Sequence, residues 1–105
     1  MRKIEQQMNT AIRNRSSFSS SNTTVSINSD NTAEVRLHGN HIATITNDSV
    51  ILFDGGWQSN TTKSRLNAIL HEFAYGVGVF QKNWEWFVCN NNKTEDFTNG
   101  MEIAL

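Results

Sequence analysis

Apolar and polar positions change their period several times along the chain, and each change marks a new element. Over residues 1–15 the apolar side chains recur at helical spacing, which predicts an N-terminal α-helix. The predicted apolar stripe is Ile4, Met8, Ala11 and Ile12, and the predicted polar face is Arg2, Lys3, Glu5, Gln6 and Gln7. Residues 16–24 then read as a polar loop in which Phe18 is an apolar anchor.

Between residues 24 and 54 the period changes to two, which predicts an antiparallel meander of about four strands. Turn-forming residues separate these strands at Asn28–Asn31, at Gly39–Asn40 and at Asn47–Ser49. One face of the meander is apolar and the other is polar, so this sheet is expected to cover a core on one side.

A second helical pattern covers residues 60–74, with Leu66, Ile69, Leu70 and Phe73 on one stripe. Residues 77–105 return to strand-like alternation, and Asn99–Gly100 is a hairpin signal. The prediction is a single α+β domain over 1–105: an N-terminal helix, an antiparallel β-meander, one amphipathic helix packed on the sheet and a C-terminal β-hairpin.

The net charge and the cysteine content exclude several classes of protein. Nine basic and ten acidic side chains give a net charge of −1, which excludes a strongly basic nucleic-acid coat and a strongly acidic DNA mimic. Cys89 is the only cysteine, so no internal disulfide forms and a reducing cytoplasm is the expected location. No signal peptide or membrane-spanning apolar run is recognised, and no membrane partner is expected.

The start of the second helix is the most informative stretch, because cap-forming side chains are followed there by two cations. Free N–H groups of a first turn attract anions, whereas cations there cost about 0.3–1 kcal/mol each unless an anion lies between. One interpretation is a site for a phosphate or carboxylate; the other is an ordinary cap with two solvated cations, Arg65 pairing with Glu72 or Glu85. The candidate anion-binding residues are Ser59, Asn60, Thr61, Thr62, Lys63 and Arg65.

Tryptophans are concentrated in the C-terminal half. Trp84 and Trp86 are predicted to share one strand face, and Trp57 is predicted to be buried before the second helix. Packing in the core is the favoured interpretation, because a small domain needs its large side chains inside. The alternative is that Trp57, Trp84 and Trp86 form a stacking platform for single-stranded nucleic acid.

Metal-binding and catalytic patterns are weak. The conventional soft ligands lack the paired spacing of a zinc site, so no metal and no cofactor are predicted; they are His38, His41, His71 and Cys89. A metalloprotease motif is excluded because Tyr75 stands where a second histidine is required. No G-x-S-x-G elbow occurs, and the spacing of Asp54, Glu72 and Glu85 does not favour an acid–base pair, so the chain is not predicted to be an enzyme.

A distinctive set of motifs runs through most of the chain after Val25. HGN-x-IA begins at His38, GW followed by a Thr-rich stretch and SRLNA begins at Gly56, and Q-x-x-W-x-W begins at Gln81. With this pattern the chain resembles a family of short proteins encoded by tailed phages. The resemblance implies a phage origin and expression inside an infected bacterium, and it brings no activity or site residues.

Three functional hypotheses remain. The first is a non-enzymatic accessory binding protein of the host bacterial cytoplasm, with nucleic acid or a nucleotide bound at the start of the second helix. The second is a protein-binding inhibitor of a host or defence factor, acting through an apolar patch or a sheet edge. The third is a homo-oligomeric structural or assembly protein.

Overall fold

Two helices and nine strands make up the chain, and the computed structural model describes all of residues 1–105. The elements are α1 Lys3–Asn14, β1 Phe18–Ser20, β2 Thr23–Ile27, β3 Ala33–Leu37, β4 Asn40–Ile45, β5 Ser49–Leu52, α2 Asn60–Phe73, β6 Val77–Lys82, β7 Glu85–Asn90, β8 Lys93–Asp96 and β9 Met101–Ala104. The predicted α+β class is confirmed, and strands β2 to β5 form the predicted meander.

The strands form two antiparallel sheets, one of six strands in the order β1-β2-β3-β4-β5-β9 and one of three in the order β6-β7-β8. The prediction of a loop over residues 16–24 was wrong, because β1 lies within it. Phe18 is half-buried and pairs with Val25 of β2, so the serine-rich segment is held as a short edge strand by its one aromatic side chain.

The C-terminal strands pair differently from the hairpin that Asn99–Gly100 predicted. β8 pairs with β7, whereas β9 pairs with β5 and places Ile103 opposite Val50. Ile103 is buried there, while every residue of β8 is exposed, so burial of apolar surface decides the partner of β9. The hairpins that do form in this part of the chain join β6 to β7 and β7 to β8.

Core side chains come from both helices and both sheets. Met8 and Ile12 of α1 and Leu66 and Ile69 of α2 are fully buried, and α2 contacts β4 and β5 of the large sheet and β6 of the small one. Helix α2 therefore packs on the large sheet, as its amphipathic pattern predicted, and it also contacts the small sheet, which the sequence pattern did not separate from the large one.

Asn67 of α2 holds the edge strand β6. Its side-chain amide donates to the Val79 carbonyl at 2.9 Å, and its Oδ1 accepts from the Val79 N–H at 2.7 Å. These two hydrogen bonds satisfy backbone groups that an edge strand otherwise leaves open. They also fix the position of the β6–β7 hairpin relative to α2.

Candidate functional site

The first turn of α2 is capped by Ser59. Its Oγ accepts from the Thr62 N–H at 3.1 Å and lies 2.9 Å from the Thr62 hydroxyl, while its carbonyl accepts from the Lys63 N–H at 3.1 Å. Two of the predicted anion-binding side chains, Ser59 and Thr62, are thus engaged with each other. The N–H groups of Asn60 and Thr61 donate to no protein acceptor, so two donors of this turn remain open.

Arg65 lies in the interior, 3% exposed, and each of its guanidinium nitrogens has a partner. Nη1 donates to Glu5 Oε2 at 2.8 Å, Nε donates to Thr23 Oγ1 at 3.0 Å and Nη2 donates to Asn22 Oδ1 at 3.3 Å. The Ser64 hydroxyl donates to the same Glu5 oxygen at 2.6 Å. The Arg65 guanidinium group is therefore not accessible to a ligand in solvent.

The partners expected for Arg65 were wrong. Glu72 pairs with Arg13 on the surface, and Glu85 has no ion-pair partner. Glu5 was expected on the polar face of α1 and is instead 3% exposed, with its other oxygen accepting from the Arg2 N–H at 3.4 Å. No local pattern in the sequence predicts an ion pair between two residues that lie 60 positions apart.

Lys63 is the candidate cation that remains at the surface of this turn. Its Nζ lies 3.5 Å from the side-chain oxygen of Gln81 on β6, at the limit of a hydrogen bond. No carboxylate pairs with Lys63, so its charge is available to a ligand.

Trp57 is 75% exposed, so the prediction that it is buried was wrong. The chain leaves β5 through a turn at Asp54, whose carbonyl accepts from the Trp57 N–H at 3.3 Å. Gly55 has a φ of 71° in this turn, and a Cβ there would lie 3.2 Å from side-chain atoms of Asn40 and Ile42. A side chain at position 55 would be both strained and crowded, so glycine allows this turn to pack against β4.

A cleft of about 350 Å³, the Trp57 cleft, lies beside the start of α2. Trp57 and His38 contribute aromatic rings, Asp54 contributes a carboxylate, and Ser59 and Thr62 of the helix cap line another part. The Asp54 carboxylate already accepts from the Gly56 N–H at 2.8 Å, so it is partly occupied within its own turn. The cleft combines a stacking surface with hydrogen-bonding groups.

Trp84 and Trp86 do not share a face. Lys82 pairs with Glu85, which leaves Asn83 and Trp84 as the two residues of a hairpin turn with φ values of 53° and 68°. Trp84 is 89% exposed, whereas Trp86 is 4% exposed. The core interpretation is thus correct for Trp86 and wrong for Trp84. Alternation along the chain could not show this, because the strand begins only after Trp84.

A second cleft of about 300 Å³, the Trp84 cleft, adjoins the same helix start. Its lining residues are Gln58, Trp84, Glu85, Trp86, Asp96 and Phe97. Phe97 meets Trp86 edge to face at a centroid distance of 5.3 Å, and the buried Nε1 of Trp86 has no hydrogen-bond acceptor in the protein. Trp84 also lines a shallower depression together with Lys63, Gln81 and Asn83.

His41 and His71 make their contacts in different parts of the fold. His41 Nε2 lies 2.7 Å from the Thr44 hydroxyl, and its ring stacks on Phe53 at 4.5 Å. The ring of His71 contacts Tyr75 at 5.4 Å. No three His, Cys, Asp or Glu side chains are grouped so that they could hold a metal ion, and neither helix is long and apolar enough to cross a membrane.

Comparison with known proteins gives one match. Residues 1–104 match the family model described as Kyanoviridae Gp96 protein. No curated protein and no solved structure matches the chain. The family description gives a phage origin and names no ligand. The groups on this surface that are open to a ligand are those of the two clefts and the exposed tryptophans.

Proposed function

The chain belongs to the Kyanoviridae Gp96 family of tailed-phage proteins, and on that premise we propose that it is a non-enzymatic binding protein of the infected host cell that docks a protein partner. The docking face is the tryptophan surface, which consists of Trp57, Gln58, Lys63 and Trp84 around the first turn of α2. The observation that carries the proposal is the position of Trp84.

Trp84 occupies a position that the fold alone would give to glycine. Its φ of 68° lies in the left-handed region, which costs a non-glycine residue on the order of 1–2 kcal/mol. Its ring is almost fully exposed, so burial of apolar surface offsets little of this conformational free energy. Strained residues concentrate at functional sites, and tryptophan is enriched among the residues that dominate protein–protein binding. A contact with a partner gives this ring a role that folding does not.

Charge favours a polypeptide partner over a nucleic acid. Asp54 lines the Trp57 cleft, and Glu85 and Asp96 line the Trp84 cleft. Lys63 is the only lysine or arginine that lines either cleft or the adjoining depression. Affinity for a phosphate backbone grows with the number of cations that meet it, so this surface is poorly suited to long nucleic acids.

A second candidate function is the binding of a small anion, such as a nucleotide, at the start of α2. It is favoured by the open N–H groups of Asn60 and Thr61 beside the unpaired Lys63, with Trp57 available to stack on a base. Its cationic component is reduced to Lys63, since Arg65 is held by Glu5. This candidate predicts that Lys63→Glu abolishes a nucleotide-induced rise in melting temperature.

The test compares the wild-type protein with Trp57→Ser and Trp84→Gly as immobilised baits in lysate of infected host cells. Tyr75→Ser is the matched control, because Tyr75 is 82% exposed and follows the other end of α2. We expect wild type and Tyr75→Ser to retain the same polypeptide, and both tryptophan variants to lose it. Retention of that polypeptide by Trp57→Ser and Trp84→Gly would overturn the proposal.

Two further measurements separate the alternatives. Binding to single-stranded DNA that falls steeply with salt and persists in Trp84→Gly would indicate phosphate contacts instead of a docked protein. Sedimentation of the purified protein tests the oligomeric hypothesis: a stable oligomer that dissociates in Trp84→Gly would make a second copy of the chain the partner.

A further inference from the structure

Strand β8 leaves one edge of the small sheet without a partner. It is the last strand in the order β6-β7-β8, and all four of its residues, Lys93–Asp96, are exposed. The opposite edge of this sheet, β6, differs because the side chain of Asn67 occupies its main-chain groups. An open edge presents unpaired N–H and C=O groups, so β8 can accept a further strand.

The main-chain groups of Thr94 and Asp96 point to this open edge. On the other side of the strand, the Phe97 N–H donates to the Trp86 carbonyl of β7 at 3.1 Å. Alternate residues of an antiparallel strand direct their N–H and C=O groups to the same neighbour, so Glu95 also faces β7, opposite Val88. The intervening residues of β8 therefore have a donor and an acceptor each that the fold does not use.

The charges along this edge are complementary to themselves. Lys93 and Glu95 are two residues apart, so their side chains lie on the same face of the sheet, and neither forms an ion pair within the protein. In an antiparallel pairing about a two-fold axis at Thr94, Lys93 of each copy lies opposite Glu95 of the other. An axis at Lys93 or at Glu95 would place like charges opposite each other, which is unfavourable. The charge pattern therefore selects one register.

We propose that the chain forms a two-fold symmetric dimer in which β8 pairs with β8 of a second copy. Thr94 lies opposite Thr94 of the second copy, and the N–H of each donates to the carbonyl of the other. A Lys93–Glu95 ion pair lies on either side of these two hydrogen bonds. The two small sheets thereby become one continuous antiparallel sheet of six strands.

The other open edges lack this complementarity. Strand β9 carries a single charged residue, Glu102, and β1 carries none, so neither strand can place opposite charges against itself. A pairing of four residues buries little surface, so the dimer is expected to be weak, with a dissociation constant in the micromolar to millimolar range. No residue of β8 belongs to the tryptophan surface, so this inference does not depend on the docking function.

Sedimentation of the purified protein over a series from micromolar to millimolar concentration tests the association. We expect a reversible monomer–dimer equilibrium. Hydrogen exchange of the ¹⁵N-labelled protein gives the local readout, because the Thr94 amide is open in the monomer and hydrogen-bonded in the dimer. Its exchange should slow in proportion to the dimer fraction.

Charge reversal tests the register. Lys93→Glu and Glu95→Lys each place like charges opposite each other twice, so each should raise the dissociation constant by about tenfold or more. An equimolar mixture of the two variants should associate again, because every cross-strand pair at these positions then joins opposite charges. Glu102→Lys is the matched reversal on the other edge, and it should leave the dimer unchanged.

A protein that stays monomeric up to millimolar concentration would overturn the inference. A dimer that both reversals leave unchanged, or that the mixture of variants does not restore, would also overturn it. Trp84→Gly should keep the dimer even where it loses the captured polypeptide. Loss of the dimer in Trp84→Gly would place the contact between copies on the tryptophan surface and would contradict the pairing of β8.

Discussion

Nη1 of Arg65 donates to Oε2 of Glu5 across 2.8 Å, and both side chains are 4% exposed. This buried ion pair connects the first turn of α1 to α2, and Thr23 and Asn22 complete the hydrogen bonding of the guanidinium group. Because a buried charge without a partner is costly, the pair fixes how the N-terminal helix docks on the rest of the fold.

Arg65→Met should lower the free energy of unfolding by about 3–5 kcal/mol, because Glu5 would stay buried without its cation. Urea unfolding at neutral pH measures this loss. The matched control is Arg13→Met, which breaks the exposed pair with Glu72 and should cost less than about 1 kcal/mol. Adding Glu5→Gln to Arg65→Met should restore part of the loss. Similar costs for Arg65→Met and Arg13→Met would contradict a role of the buried pair in stability.

Asn67→Ala should destabilise the protein by about 2 kcal/mol, because it leaves the N–H and the carbonyl of Val79 without partners. The local consequence is faster hydrogen exchange of the Val79 amide. Asn60→Ala is a suitable comparison, since Asn60 is an exposed residue of the same helix and makes no side-chain hydrogen bond. Unchanged protection of Val79 in Asn67→Ala would show that the amide does not hold the strand edge.

Trp84→Gly should raise the free energy of unfolding by about 1 kcal/mol, since glycine removes the cost of a left-handed backbone in a two-residue hairpin turn. A rise in melting temperature together with loss of partner binding is the expected combination. It would mean that this ring is kept at the expense of stability. A clear destabilisation would instead show that Trp84 packs against the fold.

The remaining tryptophans should respond in opposite ways. Trp86→Ala should cost about 3–5 kcal/mol, because the side chain is buried against Phe97 and Val88 is buried on the same strand. Trp57→Ala should change stability by less than about 0.5 kcal/mol, as expected of an exposed side chain. Thermal unfolding of the two variants in parallel measures the contrast, and a large loss in Trp57→Ala would place that ring in the core.

Glu34 makes a small contribution to stability that depends on pH. A hydrogen bond from Arg36 holds the pKa of Glu34 below its usual value of 4.5; burial opposes this effect, and the charge of Arg36 and a hydrogen bond from Asn28 add to it. Because the pKa is lower in the folded state, the contribution is complete above pH 4.5 and is lost as the pH falls through the folded pKa. Glu34→Gln should therefore cost less than about 1 kcal/mol at neutral pH and almost nothing in acid. A difference from wild type that does not shrink in acid unfolding curves would be inconsistent with this coupling.

Several elements were predictable because their signals are local. The stripe of Leu66, Ile69 and Leu70 located α2, and Ser59 is one of the cap residues that the sequence offered. The hairpin turn between β3 and β4 was placed one residue late, since His38 and Gly39, with φ values of 52° and 80°, form it. A turn signal of this kind constrains a position only to within a residue.

The candidate site was predicted in part. Its location at the start of α2 came from the run of cap residues, and the cap itself is present. The assignment of Arg65 to the surface failed, because an isolated cation in a helical pattern looks the same whether it meets solvent or a buried carboxylate from another element. Trp57 and Trp84 were expected inside because large aromatic side chains usually are; left-handed turns hold Trp84 outside.

By itself the sequence determined the two helices, the antiparallel meander and the likeness to phage proteins, because periodicity and turn chemistry act over a few residues. Only the tertiary structure decided that Arg65 meets Glu5, that β9 joins β5 and that Trp84 is exposed beside unpaired carboxylates. Each of those outcomes depends on contacts between residues that are far apart in the sequence. Local periodicity therefore cannot predict which group pairs with a buried charge or which strand pairs with a sheet edge.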